Sequence, residues 1–166
     1  MAVQNSDLSR QSSGFPKTLT FIGILCASLT LGLTLTHVLE IPGKRQLNGA
    51  EWLTVQRTFY GGFAIVGAIC EILGLIICVV SVLLIIKHRR ALIVYLTASL
   101  CFLGTLLSYW FGNRPINAKV ASWTPATLPP DWATYRNHWD DAHAISAVFS
   151  AIAFVVLLVY VIYQKR

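Results

Sequence analysis

The sequence predicts an all-α integral membrane protein, a four-helix bundle of up-down topology, on two observations. Of its 166 residues 55% are hydrophobic and only 12% charged, a balance outside the ordinary range of soluble domains. Those apolar residues gather into long runs almost free of charge, and about 20 residues rising ~1.5 Å each span the ~30 Å hydrocarbon layer. Lipid offers an open backbone no hydrogen-bond partners, so each run must be a helix that satisfies its own amides.

Residues 1–16 are polar and rich in Ser and Gln (Gln11-Ser12-Ser13-Gly14) and read as a disordered cytoplasmic tail. Residues 17–166 read as one transmembrane domain. The first span, about 18–39, is longer than a signal-peptide core and no small-residue cleavage site follows, so it is expected to be retained. Ile41-Pro42-Gly43 ends it, since proline cannot continue a helix and glycine turns the chain. A loop of mixed charge follows, with Trp52 as an interfacial anchor.

The second span, about 60–86, opens on Gly61-Gly62 and carries a single acid, Glu71. Lys87-His88-Arg89-Arg90 makes a very short turn into the third span, about 91–111. The longest loop is expected over 112–130, punctuated by Pro115, Pro125, Pro129 and Pro130. From Asp131 to Asp141 the chain reads as a wet, amphipathic lead-in to the fourth span, about 141–163.

The net charge of +6 raises the question of nucleic acid, but the basic residues sit at the ends of apolar runs and no nucleic-acid motif accompanies them. They mark orientation instead. Seven of the 13 Lys and Arg lie in the tail, the Lys87–Arg90 turn and the C-terminus, while the two other loops carry five of the seven acids. Both termini are therefore expected on the cytoplasmic side, in a multi-pass protein of the plasma membrane. Tyr109, Trp110, Trp52, Trp123, Trp132 and Trp139 gather at the opposite, outer rim.

Cys26, Cys70, Cys78 and Cys101 all fall inside apolar runs, so no loop disulfide framework exists and they read as small packing residues. Gly23, Gly32, Gly61, Gly62, Gly67 and Gly74 read as points of close helix packing. His37, Glu40, Glu71 and His143 are metal-ligating types, but no Glu-x-x-His or His-Glu-x-x-His spacing is present, so no metal site is expected.

Three constellations carry candidate chemistry, because polar groups at membrane depth are costly. His37 and Glu40 share a helix face by their spacing of three, as a proton relay or as two residues snorkelling to the interface. Glu71 lies ~16 Å of helix rise beyond Tyr60, where a carboxylate must be paired or neutral; Arg57, His37 and the polar face of span four are candidate partners. Helical spacing sets Arg136, Trp139 or Asp140, His143, Ser146 and Ser150 on one stripe running from the rim into the bundle. A cation, an aromatic plane and an imidazole on one face suit an anionic aromatic ligand; the same stripe also suits plain interfacial anchoring. His138 falls off that face and is expected in solvent.

His37-Val38-Leu39-Glu40-Ile41-Pro42-Gly43-Lys44, Pro115-Ile116-Asn117, and the Trp132–His143 region with Arg136, Trp139 and His143 together resemble the DUF1772 family of four-span membrane proteins, which includes anthrone oxygenases. The likeness covers most of the chain from about 20 to 160. It implies a four-helix membrane bundle and oxygenation of an anthrone to an anthraquinone by dioxygen, with no metal or organic cofactor. It further implies that His143 is the base, Arg136 stabilises the enolate, Trp139 and Trp132 stack on the rings, and Asn117 hydrogen-bonds a substrate oxygen. Where that family often has a basic residue three positions after the histidine, this chain has Ser146.

An enzyme of this kind expects Arg136, Trp139, His143 and Asn117 around one pocket reached from the outer leaflet, with Glu71 and His143 meeting around it and His37 and Glu40 contributing to binding. A non-catalytic membrane subunit expects the same side chains packed against loops or a partner, with no cavity. The lipid bilayer and a hydrophobic aromatic small molecule are the expected partners; homo-oligomerisation is left open by the sequence.

Overall fold

The structure, a computed structural model, describes residues 14–163, and the described residues are almost entirely helical with no strand among them. The expected disordered tail lies outside this range except for 14–16, which begin the first helix. Helices run in the order α1 (Gly14–Leu39), α2 (Ile41–Lys44), α3 (Gly49–Phe59), α4 (Gly61–Leu84), α5 (Arg89–Ser108), α6 (Arg114–Ser122) and α7 (Trp132–Tyr163), with a π-helical turn at Tyr109–Asn113 joining α5 to α6. Four helical stretches, Lys17–Lys44, Gly61–Leu84, Arg89–Ser122 and Trp132–Tyr163, are long and apolar enough to cross a membrane. The protein is an integral membrane four-helix bundle. Spanning helices α1, α4, α5 and α7 pack as a closed ring in which each touches its chain neighbours and α7 returns to α1.

The faces of these helices divide as a bilayer demands. Large aliphatics such as Ile65, Ile69, Leu83, Leu100 and Val148 point outward to lipid. The interior is built from small and thiol-bearing residues with a few large rings: Cys26, Ala27, Cys70, Cys78, Ala98, Cys101, Phe102 and Leu157. All four cysteines are buried and free, as their placement in apolar runs leads one to expect.

Glycine packing is narrower than the spacing suggests. A Cβ on Gly74 would collide with the ring of Phe102, so α4 and α5 meet there in close contact. Gly32, Gly61 and Gly62, by contrast, have open space where a side chain would stand. Close approaches the spacing does not flag occur at Gly104, whose Cβ would lie 2.8 Å from the Phe149 ring, and at Gly112, 2.6 Å from Ala142 Cβ.

The loop end of the bundle is more helical than expected. Asn48 and Glu51 form a reciprocal capping box that starts α3 within the supposed mixed-charge loop. The expected loop over 112–130 is helical as far as Ser122, because Pro115 falls in the first turn of α6, where its missing N–H costs nothing. The π turn before it absorbs the change of register. Trp52, Leu53, Ile116, Val120, Tyr60 and Trp139 close this end as a second apolar cluster. The lead-in expected before span four is continuous with it, in the single helix α7.

Candidate functional site

Below that second cluster the four helices enclose a cavity of about 610 Å³, a volume suited to a small organic ligand. Its walls are mainly apolar, and its polar side chains come from all sides: His37 from α1, Glu71 from α4, Asn113 and Asn117 from the π turn and α6, and His143 from α7. Glu71 and His143, distant in sequence, face the same space.

The chemistry concentrates where α1 meets α7. The imidazoles of His37 and His143 lie 4.1 Å apart between ring centroids. The indole of Trp139 stands edge-on to both, 4.1 Å from His143 and 4.9 Å from His37. Tyr60 meets His37 edge-on at 4.6 Å. An i, i+4 spacing puts Trp139 and His143 one turn apart on α7, which is why both reach the cavity. Buried Nδ1 of His143, Oγ1 of Thr30 and Nε2 of Gln56 make no hydrogen bond within the protein, and Nδ1 of His37 has only the Glu40 carboxylate beside it; all four residues line the cavity.

Trp139 is held on two sides. Its indole N–H donates to Asn117 Oδ1 at 2.9 Å, and its carbonyl accepts from Asn113 Nδ2 at 3.0 Å. With Oδ1 engaged, the amide nitrogen of Asn117 remains as a donor on the cavity wall. Behind His37, the Glu40 carboxylate lies 3.6 Å from Nδ1 and accepts the Tyr60 hydroxyl at 2.7 Å. Burial, and then the hydrogen bond to Glu40, push the Tyr60 phenol well above its ordinary value. Tyr60 is therefore a donor, not a base, throughout the physiological range.

The structure thus brings His37, Glu71, Asn117, Trp139 and His143 to one cavity, with Glu40 directly behind His37. It sets Arg136 and Trp132 outside the lining. The Arg136 guanidinium lies 5.1 Å over the Trp132 ring and reaches the carbonyl of Lys44 at 3.4 Å. Trp132 itself packs on Trp52 at 5.7 Å. The expected stripe divides because α7 shows the cavity only one narrow face: Ser146 and Ser150 turn into the helix packing, where Ser150 donates to the Ser146 carbonyl at 2.7 Å. His138 is exposed, as expected. Among the described residues Glu71 has no ion pair or hydrogen bond; Arg57, one expected partner, is committed to the carbonyls of Val120, Ala121 and Trp123. No group of three His, Cys, Asp or Glu at metal-ligating spacing occurs among the described residues.

Two residues given no role by the sequence, Lys44 and Asp140 (the latter an alternative to Trp139 on the stripe), are central to the geometry. Lys44 and Asp140 form a buried ion pair at 2.7 Å that ties the end of α2 to α7, and Lys44 Nζ lies 4.7 Å from the centre of the Trp139 ring. A signal was present: Asp140 sits between Trp139 and Asp141, one turn after Arg136, where the helix turns from wet to dry.

Fold and cavity together define a small integral membrane protein with a ligand-sized chamber near one end of its bundle. A family model described as anthrone oxygenase matches residues 55–156, and the chain belongs to that family. The matched segment includes Glu71, Asn117, Trp139 and His143, while His37 and Glu40 precede it. No curated protein and no solved structure matches the chain.

Proposed function

We propose that the protein is a cofactor-independent monooxygenase acting on an electron-rich, anthrone-like aromatic. The observation that carries this reading is a largely apolar cavity with His37, Glu71, Asn117 and His143 among its lining residues, beside an aromatic wall. Membership of the anthrone oxygenase family supports the same reaction class.

An anthrone carries a CH₂ flanked by two aryl rings and opposite a ring carbonyl. Removing one proton from that carbon gives an extended enolate that is itself a good one-electron reductant. His143 acts as the general base and needs only a neutral imidazole within reach of that C–H. Asn117 donates its amide N–H to the oxygen on which negative charge develops. Trp139, fixed by its two asparagines, holds the ring plane against which the substrate stacks. Arg136, outside the cavity, serves by bracing Trp132 and the Lys44 carbonyl.

The enolate passes an electron to dioxygen, and recombination of the radical pair forms a carbon–oxygen bond at the former CH₂. Loss of the second hydrogen from that carbon cleaves the O–O bond, leaving the quinone carbonyl and releasing water. One dioxygen is consumed, one oxygen atom enters the product, and all four electrons come from the substrate. The protein's tasks are to bind, deprotonate and orient.

The test is dioxygen uptake by the purified protein with a hydroxylated anthrone, against His143→Ala and a protein-free autoxidation control. Uptake matched one-to-one by quinone, with one atom of ¹⁸O₂ in the quinone and a fall on the order of 10²-fold or more in the variant, supports the proposal. Uptake equal to autoxidation would remove it and leave a membrane protein that binds a small ligand without turning it over.

A further inference from the structure

The cavity wall is not continuous. On the side between α4 and the α5–α6 column, its lining includes residues that also face lipid: Ala64, Ala68 and Ile72 on one edge, Leu107 and Trp110 on the other. Ile72, Leu107 and Trp110 are 51%, 46% and 54% exposed. Along this edge α4 offers small side chains, Gly61, Ala64, Gly67 and Ala68, so there is little to fill the gap. The gap has definite ends. Toward the bundle centre it is shut where the Phe102 ring lies on Gly74. Toward the loops it is bridged by Arg57, whose guanidinium donates to the carbonyls of Val120, Ala121 and Trp123 and so ties the end of α3 to the end of α6. Gly74 lies 13 positions after Gly61, a slot of ~20 Å at 1.5 Å per residue.

We infer that this slot is the portal of the cavity, and that its ligand, a flat, bilayer-dissolved aromatic carrying hydrogen-bonding hydroxyls, is taken sideways from the lipid rather than from water. The ligand class rests on the proposed function; the route rests on the geometry alone. An apolar opening flanked by lipid-facing side chains admits a partitioned aromatic without first hydrating it. At the loop end Trp52 and Leu53 are buried against Ile116 and Val120, and the Arg57 guanidinium crosses the rim of the cavity. Once through the slot, a planar molecule meets the small edge of α4 on one side, the aromatic wall on the other, and the His37 and His143 side chains at the far end.

The test uses the full-length protein in lipid nanodiscs, with Ala68→Cys in the slot and Ala126→Cys in the exposed loop as reference. Each is treated with a lipophilic pyrenyl maleimide and with a sulfonated, membrane-excluded maleimide; the unmodified protein, whose own cysteines are buried, gives the background. At position 126 both reagents should react. At position 68 the sulfonated reagent should be at least tenfold slower than at 126, while the lipophilic one reacts readily. A second arm follows quenching of tryptophan fluorescence by 1,8-dihydroxyanthraquinone added in the bilayer. Ala64→Leu/Ala68→Leu, which grows into open lipid-facing space, should slow the quenching by about tenfold.

Sulfonated labelling at 68 within about threefold of that at 126 would overturn the inference, because the cavity would then open to water. So would an unchanged quenching rate in the double variant. If the quinone fails to quench the parent protein, the aromatic-ligand reading falls, and the labelling arm still decides the route.

Discussion

Lys44 and Asp140, 96 residues apart in sequence, meet at 2.7 Å with both side chains almost wholly buried. The contact joins the turn after the first span to the dry part of α7, and it sets a cation beside the Trp139 ring. An ion pair in so dry a place is costly to assemble and more costly to break, since removing one partner strands the other charge. Asp140 Oδ2 has no hydrogen bond, so the carboxylate depends on Lys44.

Lys44→Met should therefore destabilise the protein by about 3–5 kcal/mol, and Asp140→Leu by a similar amount. The double variant Lys44→Met/Asp140→Leu should recover most of that loss, because neither charge is then left alone. Thermal unfolding in detergent, arranged as a double-mutant cycle, measures the coupling. Additive losses would show that the pair is not coupled.

Asn117 does two things with one amide, and they can be separated. Its oxygen holds the Trp139 indole, while its nitrogen is free on the cavity wall. Asn117→Asp keeps the acceptor and removes the donor. Under the proposed reaction it should leave stability nearly unchanged and lower kcat about 10²-fold, the usual scale for losing one donor to a developing oxyanion. Asn117→Ala should lose both, with an added fall in thermal stability as the buried indole N–H goes unpaired. Wild-type kinetics in Asn117→Asp, with the loss confined to Asn117→Ala, would mean that Asn117 acts only by positioning Trp139.

The four spans were legible because bilayer thickness dictates run length directly, and charge-free runs of that length have few other uses. His37, Glu71 and His143 were legible for a related reason, since a titratable residue inside such a run needs a purpose, and Trp139 followed from its helical spacing to His143. Arg136 shows the limit. Helical spacing puts it on the stripe of His143, but α7 at that height packs against α2, and the guanidinium finds the Lys44 carbonyl instead. The Lys44–Asp140 pair depends on how two distant helices dock, which periodicity does not encode. Helix α3 could have been found from its capping box, whereas α6 was hidden by Pro115, a residue that reads as loop unless the preceding π turn is known.

Tyr60 provides a prediction in pH. Its phenol is held above the ordinary value of 10.0 by burial and by its bond to Glu40, so the folded state binds a proton that the unfolded state releases near pH 10. Stability from this bond is thus fully present below about pH 10 and declines above it, since the unfolded chain then carries fewer protons. Tyr60→Phe should cost about 1–2 kcal/mol at pH 7. The gap between wild type and variant should stay constant from pH 6 to about 9 and shrink above 10. Melting temperatures across that range check it; a gap that already narrows between pH 7 and 8 would contradict the assignment.

Glycines of similar appearance should respond in opposite directions. At Gly74 a methyl group has nowhere to go, because the rigid ring of Phe102 already occupies its place and the helices α4 and α5 must part to admit it. Gly74→Ala should therefore destabilise by about 1–3 kcal/mol, as over-packing does elsewhere. It should also widen the contact that shuts the lower end of the slot. At Gly32, in the middle of α1, a Cβ would meet nothing within 4 Å. Replacing glycine by alanine there removes backbone freedom from the unfolded chain without a clash, so Gly32→Ala should be neutral or stabilise by up to about 1 kcal/mol. Paired unfolding curves for the two variants test the helix contact itself: equal shifts would mean that α4 and α5 are not in close contact at Gly74.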